Sequence, residues 1–564
     1  MNANRNAELP RPLRGHPFTE GELARARKLA VREESTRAHT KPFPHFSRAS
    51  DSPSVKGWRR SRRGSSALVW NFVFAIWNLL EVWSLKFGIF PLGWPRSRQA
   101  VSTFGILALM LFTLTSCTMI PDYQRPPLPV NDNWPTAADT TATTSPADLG
   151  WRDYFTDPQL QHLITLALAN NRDLRVAALN VEKIQAQYRI VRSALFPELD
   201  ATAGFHRQRI PSALTNTPNA THQTQYTISG AVAAYELDLF GRVRSLKAAA
   251  LEQYLATAET RRAAQLSLIA ETATQYLAAR QLAGQLQLAR HTLQAAQAIA
   301  EVVNLSVQHH IMTDLDLHAA AIQVHAAQAS LARYERLLAQ TRNTLTLLIG
   351  ALLPADWSPA ATTDETPPLA DLTPGLPSDL LLRRPDLRAA EHQLKAANAD
   401  IGAARAAFFP KILLTGSAGT ISAQLSDLFT GPSYMWSFMP QITIPIFDGG
   451  RNAAELDVAK ITTRIEIANY EHRIQQAFRE VADALATRAT INEEIRAREQ
   501  LVTAQQQRYN LSLIRYENGI DNYLGVLTAQ QDLYQAQQDL IIARYYRLTN
   551  QTALYKALGG GARE

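Results

Sequence analysis

The chain has 564 residues, of which 46% are hydrophobic and 19% charged, a composition that excludes a disordered or collagen-like protein. Its one cysteine, Cys117, excludes an intramolecular disulfide framework or a cysteine-based zinc site. The net charge of +7 is unevenly distributed along the chain. Residues 1–117 hold 18 of the 57 Lys and Arg residues but only 7 of the 50 Asp and Glu residues. The chain after Cys117 therefore has a net charge of −4. A nucleic-acid partner would depend on that N-terminal stretch alone, and we expect none.

The first predicted element is a secretory signal peptide at 96–116. Arg96 and Arg98 precede a short apolar run, and Leu114-Thr115-Ser116-Cys117 resembles the lipobox of bacterial lipoproteins. That resemblance implies S-diacylglycerol and N-palmitoyl groups on the cysteine, and we expect no other cofactor. Thr118, where an aspartate would retain a lipoprotein in the inner membrane, favours the outer membrane. The alternative is a buried thiol in a membrane helix, although the run is shorter than the roughly 20 residues that span a bilayer.

Residues 1–95 fit this scheme poorly, because a signal peptide begins near the start of the translated chain. We therefore predict that they are an extension that the cell does not translate, with synthesis beginning near Leu92. The competing interpretation is a membrane anchor at 67–94. Polar residues such as Asn78 and Glu81 interrupt that segment and raise its insertion cost.

After the cysteine the sequence repeats itself with a period of roughly 210 residues. Asp173-Leu174-Arg175 recurs as Asp386-Leu387-Arg388, and Leu195-Phe196-Pro197 recurs as Phe408-Phe409-Pro410. This period is far longer than that of a solenoid repeat. We predict a lipid-anchored segment at 117–158, structural repeats at 159–350 and 377–558, a Pro-rich linker at 351–376 and a tail at 559–564.

Each repeat is predicted to contain a helix, two strands, a long helix and a further helix. The predicted strands are 198–209, 225–239, 411–421 and 435–447, and Gly241 and Gly450 mark the turns from strand to helix. Four strands are too few to close a barrel, since about eight is the lower limit. The chain must therefore leave the edges of its sheet open or share a barrel with copies of itself.

The long helices are predicted at 242–310, which contains no proline and one glycine, and at 452–518, which contains neither. About 67 residues at 1.5 Å each give roughly 100 Å. The other helices are about half as long, so two stacked end to end match a long one. Apolar residues from Leu317 to Leu348 follow the alternating three-four spacing of a coiled coil. This pattern predicts a cylinder of paired helices. A two-helix rod would explain the spacing equally well but not the strands.

Motifs of catalysis are missing from the sequence. It has no phosphate-binding loop, no H-E-x-x-H and no nucleophile elbow, so we predict a protein that is not an enzyme and has no catalytic residues. His309-His310 and His318 could suggest a metal, but on a long helix they are more typical of solvated or lining side chains. We predict no metal site.

Several further motifs together carry a family resemblance. Leu376-Pro377-Ser378-Asp379-Leu380-Leu381, Arg384-Pro385-Asp386-Leu387-Arg388, Ile444-Pro445-Ile446-Phe447-Asp448-Gly449-Gly450-Arg451 and Arg515-Tyr516-Glu517-Asn518-Gly519 stand in the order found in one family. The chain resembles the TolC-type outer-membrane efflux proteins, in particular the lipoprotein branch that serves tripartite multidrug pumps of the RND type. The resemblance covers nearly everything after Cys117.

The resemblance implies a mainly α, mixed fold in which a homotrimer shares a transmembrane β-barrel of twelve strands and a long coiled-coil α-helical barrel. It implies an exit duct in the cell outer membrane that extends into the periplasm and passively conducts drugs or other small molecules. The implied partners are a periplasmic adaptor, an inner-membrane pump and outer-membrane lipid. Two alternatives stay open: an outer-membrane channel for type I protein secretion, and a non-conducting coiled-coil lipoprotein that tethers envelope layers.

The resemblance also implies a gate at the periplasmic tip of the tunnel. By motif position Asp316, Tyr516 and Asp521 match gate residues of the family, whereas Gly525 and Thr528 stand where some members have aspartates. The number of acidic rings at the gate is therefore open. For Asp521 the alternative is an N-cap of the last helix, since aspartate is a preferred cap.

Overall fold

The computed structural model describes residues 118–131, 133–135, 149–214, 218–354, 357–359, 369, 372, 378 and 380–560. The predicted extension, the signal peptide and Cys117 lie outside the described residues, as does most of the predicted linker at 351–376. Among the described residues, no helix has both the length and the apolar character needed to cross a membrane.

The first half of the described chain contains five helices and two strands. They are α1 (Trp151–Tyr154), α2 (Pro158–Asn170), α3 (Arg172–Ser193), β1 (Leu199–Ile210), β2 (Thr221–Glu236), α4 (Arg242–Gln308) and α5 (Asp314–Ile349). The second half follows the same plan with α6 (Leu380–Arg383), α7 (Pro385–Ala406), β3 (Lys411–Ser422), β4 (Tyr434–Thr443), α8 (Arg451–Glu517) and α9 (Tyr523–Ala557). The prediction of four strands and two very long helices is confirmed.

One predicted helix is broken. The Ala-rich pattern from 160 to 196 predicted a single helix, but Asn171 separates α2 from α3 with an extended ψ of 129°. Its side chain accepts a hydrogen bond from the amide of Leu174 at 2.8 Å and donates one to the carbonyl of Leu348 at 2.8 Å. Asparagine is a strong N-cap because its side chain replaces a helical hydrogen-bond partner of the backbone. One helix therefore ends at Asn171 and the next begins there.

The two long helices run without interruption because 67 consecutive residues in each contain no proline. Each begins after a glycine in the left-handed region, Gly241 at φ 76° and Gly450 at φ 88°, where a side chain would be strained. Aspartates just upstream satisfy the free amides of the first turn. Asp238 accepts from Val243 and Arg244, and Asp448 accepts from Gly450 and Asn452.

The helices form a wall that is four helices wide at two levels. At the level next to the sheet the order of packed neighbours is α3, α4, α7 and α8, and at the other level it is α5, α4, α9 and α8. The long helices α4 and α8 belong to both levels. The short helices α3 and α7 therefore stand above α5 and α9, as the helix lengths predicted.

Equivalent joints connect the stacked short helices in the two repeats. In the first, the Asn171 amide donates to the Leu348 carbonyl at the end of α5. In the second, the buried guanidinium of Arg384 donates to the carbonyl of Ala557 at 3.0 Å and pairs with Asp386 and Glu480. Burial alone would raise the pKa of Asp386, but its bonds to Arg384 outweigh burial and hold that pKa below its usual range.

The main hydrophobic core lies around these joints. Its largest fully buried side chains include Tyr154, Phe155, Tyr276, Tyr470 and Tyr555, and the rings of Tyr154 and Tyr555 stack at 4.2 Å. Because both repeats contribute to it, this core fixes the two halves against each other.

An extended segment, 118–131, lies along α7; we call it the strap. Arg125 donates to both carboxylate oxygens of Glu391 at 2.8 and 3.0 Å, and Asn398 donates to the Pro121 carbonyl at 2.8 Å. At Gly402 an added Cβ would lie 2.7 Å from Ile120, so glycine is needed for this close approach. Further along, Trp134 stacks on Phe478 of α8 at 4.9 Å.

The four strands form one antiparallel sheet in the order β1-β2-β3-β4, with β1 and β4 at its edges. The strands have 10 to 16 residues. A β-bulge between Val232 and Tyr235 shifts the register of β2 against β3, and Ala234 has φ 52° there. β4 ends at Thr443, so Ile444 to Phe447, which we predicted to be part of that strand, form the turn into α8.

Candidate gate and membrane sheet

The two faces of the sheet differ in chemistry. Directly paired residues share a face, and the register places Phe438 opposite Gly416, Gly416 opposite Val232, and Val232 opposite Leu199. The face defined by this row is mainly apolar: it also carries Ala203, Phe205, Ile228, Leu414, Trp436 and Ile442, whereas Arg207 and Arg209 lie on it at the end of β1 that leads into the loop before β2. Most of its large side chains are exposed in the single chain. Such a face requires an apolar surrounding.

The opposite face is mainly polar and hydrogen-bonded across strands, although Leu413 and Met439 also lie on it. Ser417 and Ser437 hydroxyls lie 2.7 Å apart, Thr202 and Ser229 hydroxyls 3.0 Å apart, and Gln208 donates to Gln223 at 3.0 Å. Alternation of an apolar and a polar face over strands of 10 or more residues is typical of membrane strands whose second face lines a water-filled interior. The register assigns Trp436, Phe438 and Ile442 to the apolar face.

The far ends of the long helices form two similar hairpin turns. After α4, His310 has φ 57° and the Ile311 amide donates to the Ser306 carbonyl at 2.8 Å. After α8, Gly519 has φ 70° and the Ile520 amide donates to the Arg515 carbonyl at 2.9 Å. This six-to-one bond after a left-handed residue is the Schellman helix ending. The duplication thus extends to the tips, with histidine where the second repeat has glycine.

Asp316 lies in the first turn of α5 and belongs to a capping box. Its carboxylate accepts hydrogen bonds from the Thr313 amide at 3.1 Å and the Thr313 hydroxyl at 2.7 Å. These bonds stay within its own hairpin. No hydrogen bond joins Asp316 to Tyr516 or Asp521 among the described contacts at the tip.

Tyr516 joins the two hairpins. Its hydroxyl donates to the Met312 sulfur at 3.2 Å, and its ring lies 5.4 Å from that of Tyr523. Burial, and then the carboxylate of Asp316, raise the pKa of Tyr516. Burial likewise raises the pKa of Tyr523 to about 12, so its phenol is neutral at physiological pH. A small apolar cluster with Val303, Ala320, Val526 and Leu527 surrounds them.

Asp521 is paired with Arg515 across the second hairpin turn. The Nε and Nη2 of Arg515 donate to the two carboxylate oxygens, with Nη2 3.1 Å from Oδ1. This pairing lowers the pKa of Asp521 and raises that of Arg515. Both side chains are about half exposed. The charge of Asp521 is therefore compensated within its own turn.

The predicted alternative role of Asp521 as an N-cap is wrong. The cap of α9 is Asn522, whose side-chain oxygen accepts from the Gly525 amide at 3.3 Å. Asparagine caps as well as aspartate does, so residue type alone could not decide between these neighbours. The Thr528 hydroxyl donates to the Leu524 carbonyl at 3.0 Å.

The predicted histidines lie at or near the first tip. His309 is the C-cap of α4, His310 occupies the left-handed position, and His318 lies in α5. Across the described part of the chain, His, Cys, Asp and Glu side chains form no group of three placed to hold a metal ion.

A comparison with family models matches residues 163–351 and 376–560 to the family described as outer membrane efflux protein. The chain belongs to the outer membrane efflux protein family. The toluene efflux pump outer membrane protein TtgF of Pseudomonas putida is 47% identical over 457 residues, which cover 79% of this chain and 95% of TtgF. The outer membrane protein OprJ of Pseudomonas aeruginosa is 43% identical over 459 residues, covering 81% and 96%.

The same family likeness holds for solved structures. The open state of the MtrE outer membrane channel of Neisseria gonorrhoeae is 40% identical, with a TM-score of 0.74 over 79% of this chain and 99% of that chain. The outer membrane efflux protein family is one of transport channels. The predicted family, fold class and outer-membrane location are confirmed: a trimer combines long helices in an α-helical barrel with four strands from each chain. The protein is the outer-membrane exit duct of an efflux pump.

Proposed function

We propose that this exit duct serves a tripartite pump for small apolar molecules, with a periplasmic adaptor and an inner-membrane pump as partners. The observation that carries the proposal is the direct connection between the two-faced sheet and the two 67-residue helices. One chain thus supplies a membrane segment and a tunnel wall roughly 100 Å long. A tether between envelope layers needs no such sheet.

The substrate class follows from the relatives. TtgF is named for toluene and is 47% identical over nearly its whole length. Transport through this chain is passive, because the sequence has no nucleotide-binding motif and the energy must come from the partner pump. The relatives' names favour an efflux pump over type I protein secretion.

The adaptor docks on the hairpin tips. Ile311 and Leu315 at the first tip, and Ile520 and Leu524 at the second, are all exposed to solvent. In a Schellman ending the apolar residue after the left-handed position normally packs back on its own helix. Here both isoleucines point away from their helices, so they are available to an apolar partner surface.

The gate lies at the same end, with Asp316, Tyr516 and Asp521 as its residues. Tyr516 holds the second hairpin to the first through Met312. Asp316 orders the first hairpin, and Asp521 orders the second through Arg515. Opening then requires the hairpins to separate at the Tyr516 contact. Gly241 and Gly450 serve as the turns that fix the tunnel to the sheet.

Cys117 carries the covalent lipid, and residues 96–116 are its signal peptide, with 1–95 as an untranslated extension. The strap supports this assignment, because Met119 and Ile120 lie against the end of α7, only a few residues before β3 enters the sheet. The strap thus begins near the membrane surface, one residue after Cys117. The boundaries of the repeats, linker and tail remain as proposed from the sequence.

Replacing Cys117 by serine should abolish lipid attachment while leaving the trimer in the outer membrane, because the sheet itself is a membrane anchor. Radiolabelled palmitate should label the wild type and not Cys117→Ser. Equal labelling of both proteins would refute the assignment of the cysteine.

The function is tested in a deletion strain by the accumulation of an apolar fluorescent dye, N-phenylnaphthylamine. Wild-type protein should lower dye accumulation, as should the control Arg479→Gln on an exposed helix surface. Ile311→Asp with Ile520→Asp should fail to lower it although the trimer is present, because the adaptor cannot dock. Unchanged accumulation with wild-type trimer in the membrane would contradict the proposed function.

A further inference from the structure

One sequence motif occurs in both repeats and has no part in the gate or the docking tips. Arg192-Ser193-Ala194-Leu195-Phe196-Pro197 ends α3, and Arg405-Ala406-Ala407-Phe408-Phe409-Pro410 ends α7. Each has an arginine, an aromatic residue four positions later and a proline that stops the helix. We call these two segments the arginine–phenylalanine motifs.

The two motifs have the same backbone geometry. The amides of Leu195 and Phe196 donate to the carbonyls of Arg192 and Ser193 at 3.1 and 2.9 Å. Those of Phe408 and Phe409 donate to Arg405 and Ala406 at 3.3 and 3.1 Å. A final helical turn of this kind keeps residues that are three or four positions apart on the same side of the helix end. The arginine and the aromatic residues of each motif therefore start from the same side of the helix end.

Both components of each motif are exposed. The exposed fraction is 64% for Phe196, 44% for Phe408 and 37% for Phe409, although Phe409 also stacks on Phe240 at 4.7 Å. Arg192 and Arg405 are exposed as well. Neither arginine pairs with a carboxylate of the described residues; Arg405 donates to the Met119 carbonyl at 3.3 Å. Each motif thus presents an uncompensated cation beside an uncovered apolar surface.

The position of the motifs identifies their surroundings. β1 begins at Leu199 and β3 at Lys411, so each motif lies where the apolar face of the sheet begins. On α7 the residues that contact the strap, such as Asn398 and Gly402, lead along the helix to Arg405. This step rests on the lipid proposed above for Cys117: because the strap leads to that anchor, this side of α7 is the outer side of the wall. The motif at Arg405 therefore faces the periplasmic boundary of the membrane.

At such a boundary, aromatic rings lie at the level of the lipid glycerol groups and arginine binds phosphate. We propose that each arginine–phenylalanine motif binds one glycerophospholipid of the inner leaflet of the outer membrane. The arginine pairs with the lipid phosphate, and the phenylalanines contact the first acyl carbons. Two motifs in each of three chains give six such lipids in the trimer.

Native mass spectrometry of the detergent-solubilised, delipidated trimer tests this proposal after addition of dioleoylphosphatidylglycerol. Wild-type trimer should retain six lipids that Arg192→Gln and Arg405→Gln each reduce by three, because each variant removes one motif per chain. Arg192→Lys and Arg405→Lys keep the charge and should keep the lipids. The control is Arg479→Gln, an exposed arginine on α8 far from the sheet, which should retain six.

The same spectra report whether each variant is still a trimer, so loss of lipid is separable from loss of assembly. A single Gln variant with the wild-type number of lipids would overturn the assignment of its motif. Displacement of the lipids by millimolar inorganic phosphate would overturn the role of the phenylalanines, because it would mean that the headgroup alone provides the affinity.

Discussion

At the scale of single residues, the charge of Asp521, a proposed gate residue, is compensated within its own turn. Three copies of an unpaired aspartate around a narrow opening would make a strongly cation-attracting ring. In this chain each Asp521 is bound by its own Arg515, six positions earlier across a turn. Sequence spacing could not reveal the pair, because helical pairing rules apply to separations of three and four.

Replacing Arg515 by alanine should therefore increase cation selectivity and block by multivalent cations in planar-bilayer recordings, since it leaves three uncompensated carboxylates. Asp521→Ala should have the opposite effect on selectivity, because it leaves three unpaired arginines. If both variants conduct with wild-type selectivity, Asp521 does not line the opening.

The pH dependence of this pair has a definite sign. Because the pKa of Asp521 is lowered, the Asp521–Arg515 ion pair contributes to stability at pH values above the ordinary pKa of an aspartic acid, about 3.9. That contribution is lost as pH falls through the pKa of the folded state. The Asp521–Arg515 pair itself should thus add no pH dependence to the selectivity between about pH 6 and 8.

At the scale of elements, the sequence predicted helices and strands well where one periodic pattern was undisturbed. The two long helices lack any competing signal, so their bounds differ from prediction by about two residues. Where a side chain has a tertiary partner the prediction failed. Asn171 breaks a helix because its amide reaches Leu348, 177 residues away, and no local pattern encodes that contact.

The sheet offers a matched pair of adjacent positions for testing its two faces. Phe438 lies on the apolar face opposite Gly416, and Ser437 lies on the polar face opposite Ser417. Phe438→Arg should destabilise the folded trimer by about 2–4 kcal/mol at mid-membrane depth, whereas Ser437→Arg should cost less than about 1 kcal/mol.

Urea titration of the heat-modifiable gel migration measures this difference. Equal destabilisation by the two arginines would show that the faces do not separate lipid from water.

At the scale of the whole molecule, the single chain leaves its lateral edges uncovered. Helix α3 has no buried residue, and Val176, Leu179 and Ile190 form an exposed apolar stripe on it. At the other edge, Val458, Ile461 and Ile465 form such a stripe on α8. The edge strands β1 and β4 lie above these two helices. We therefore expect α3 and β1 of one copy to meet α8 and β4 of the next in the trimer.

Val176→Asp with Leu179→Asp should prevent trimer formation, because three interfaces would each bury two carboxylates against apolar side chains. Arg175→Asp, on the flank of the same helix, is the matched control and should remain trimeric. Analytical ultracentrifugation in detergent distinguishes the two results. A stable trimer in the double variant would place the subunit contact elsewhere.

The family and fold class could be predicted from sequence because the motifs and helix lengths agree with each other. The gate was less predictable. Asp316, Tyr516 and Asp521 all lie at the tips, but each is bound mainly within its own hairpin or to Met312, and only coordinates reveal such partners. Their role in gating stays a prediction.

The two joints between stacked helices have a mechanical consequence. Both lie at one height, at Asn171 with Leu348 and at Arg384 with Ala557, while α4 and α8 pass that height unbroken. In the cylinder, continuous columns, each a single long helix (α4 or α8), therefore alternate with articulated columns, each made of two short helices stacked end to end. We expect the articulated columns to bend and twist more easily at that height than the continuous ones, because no unbroken helix backbone crosses a joint.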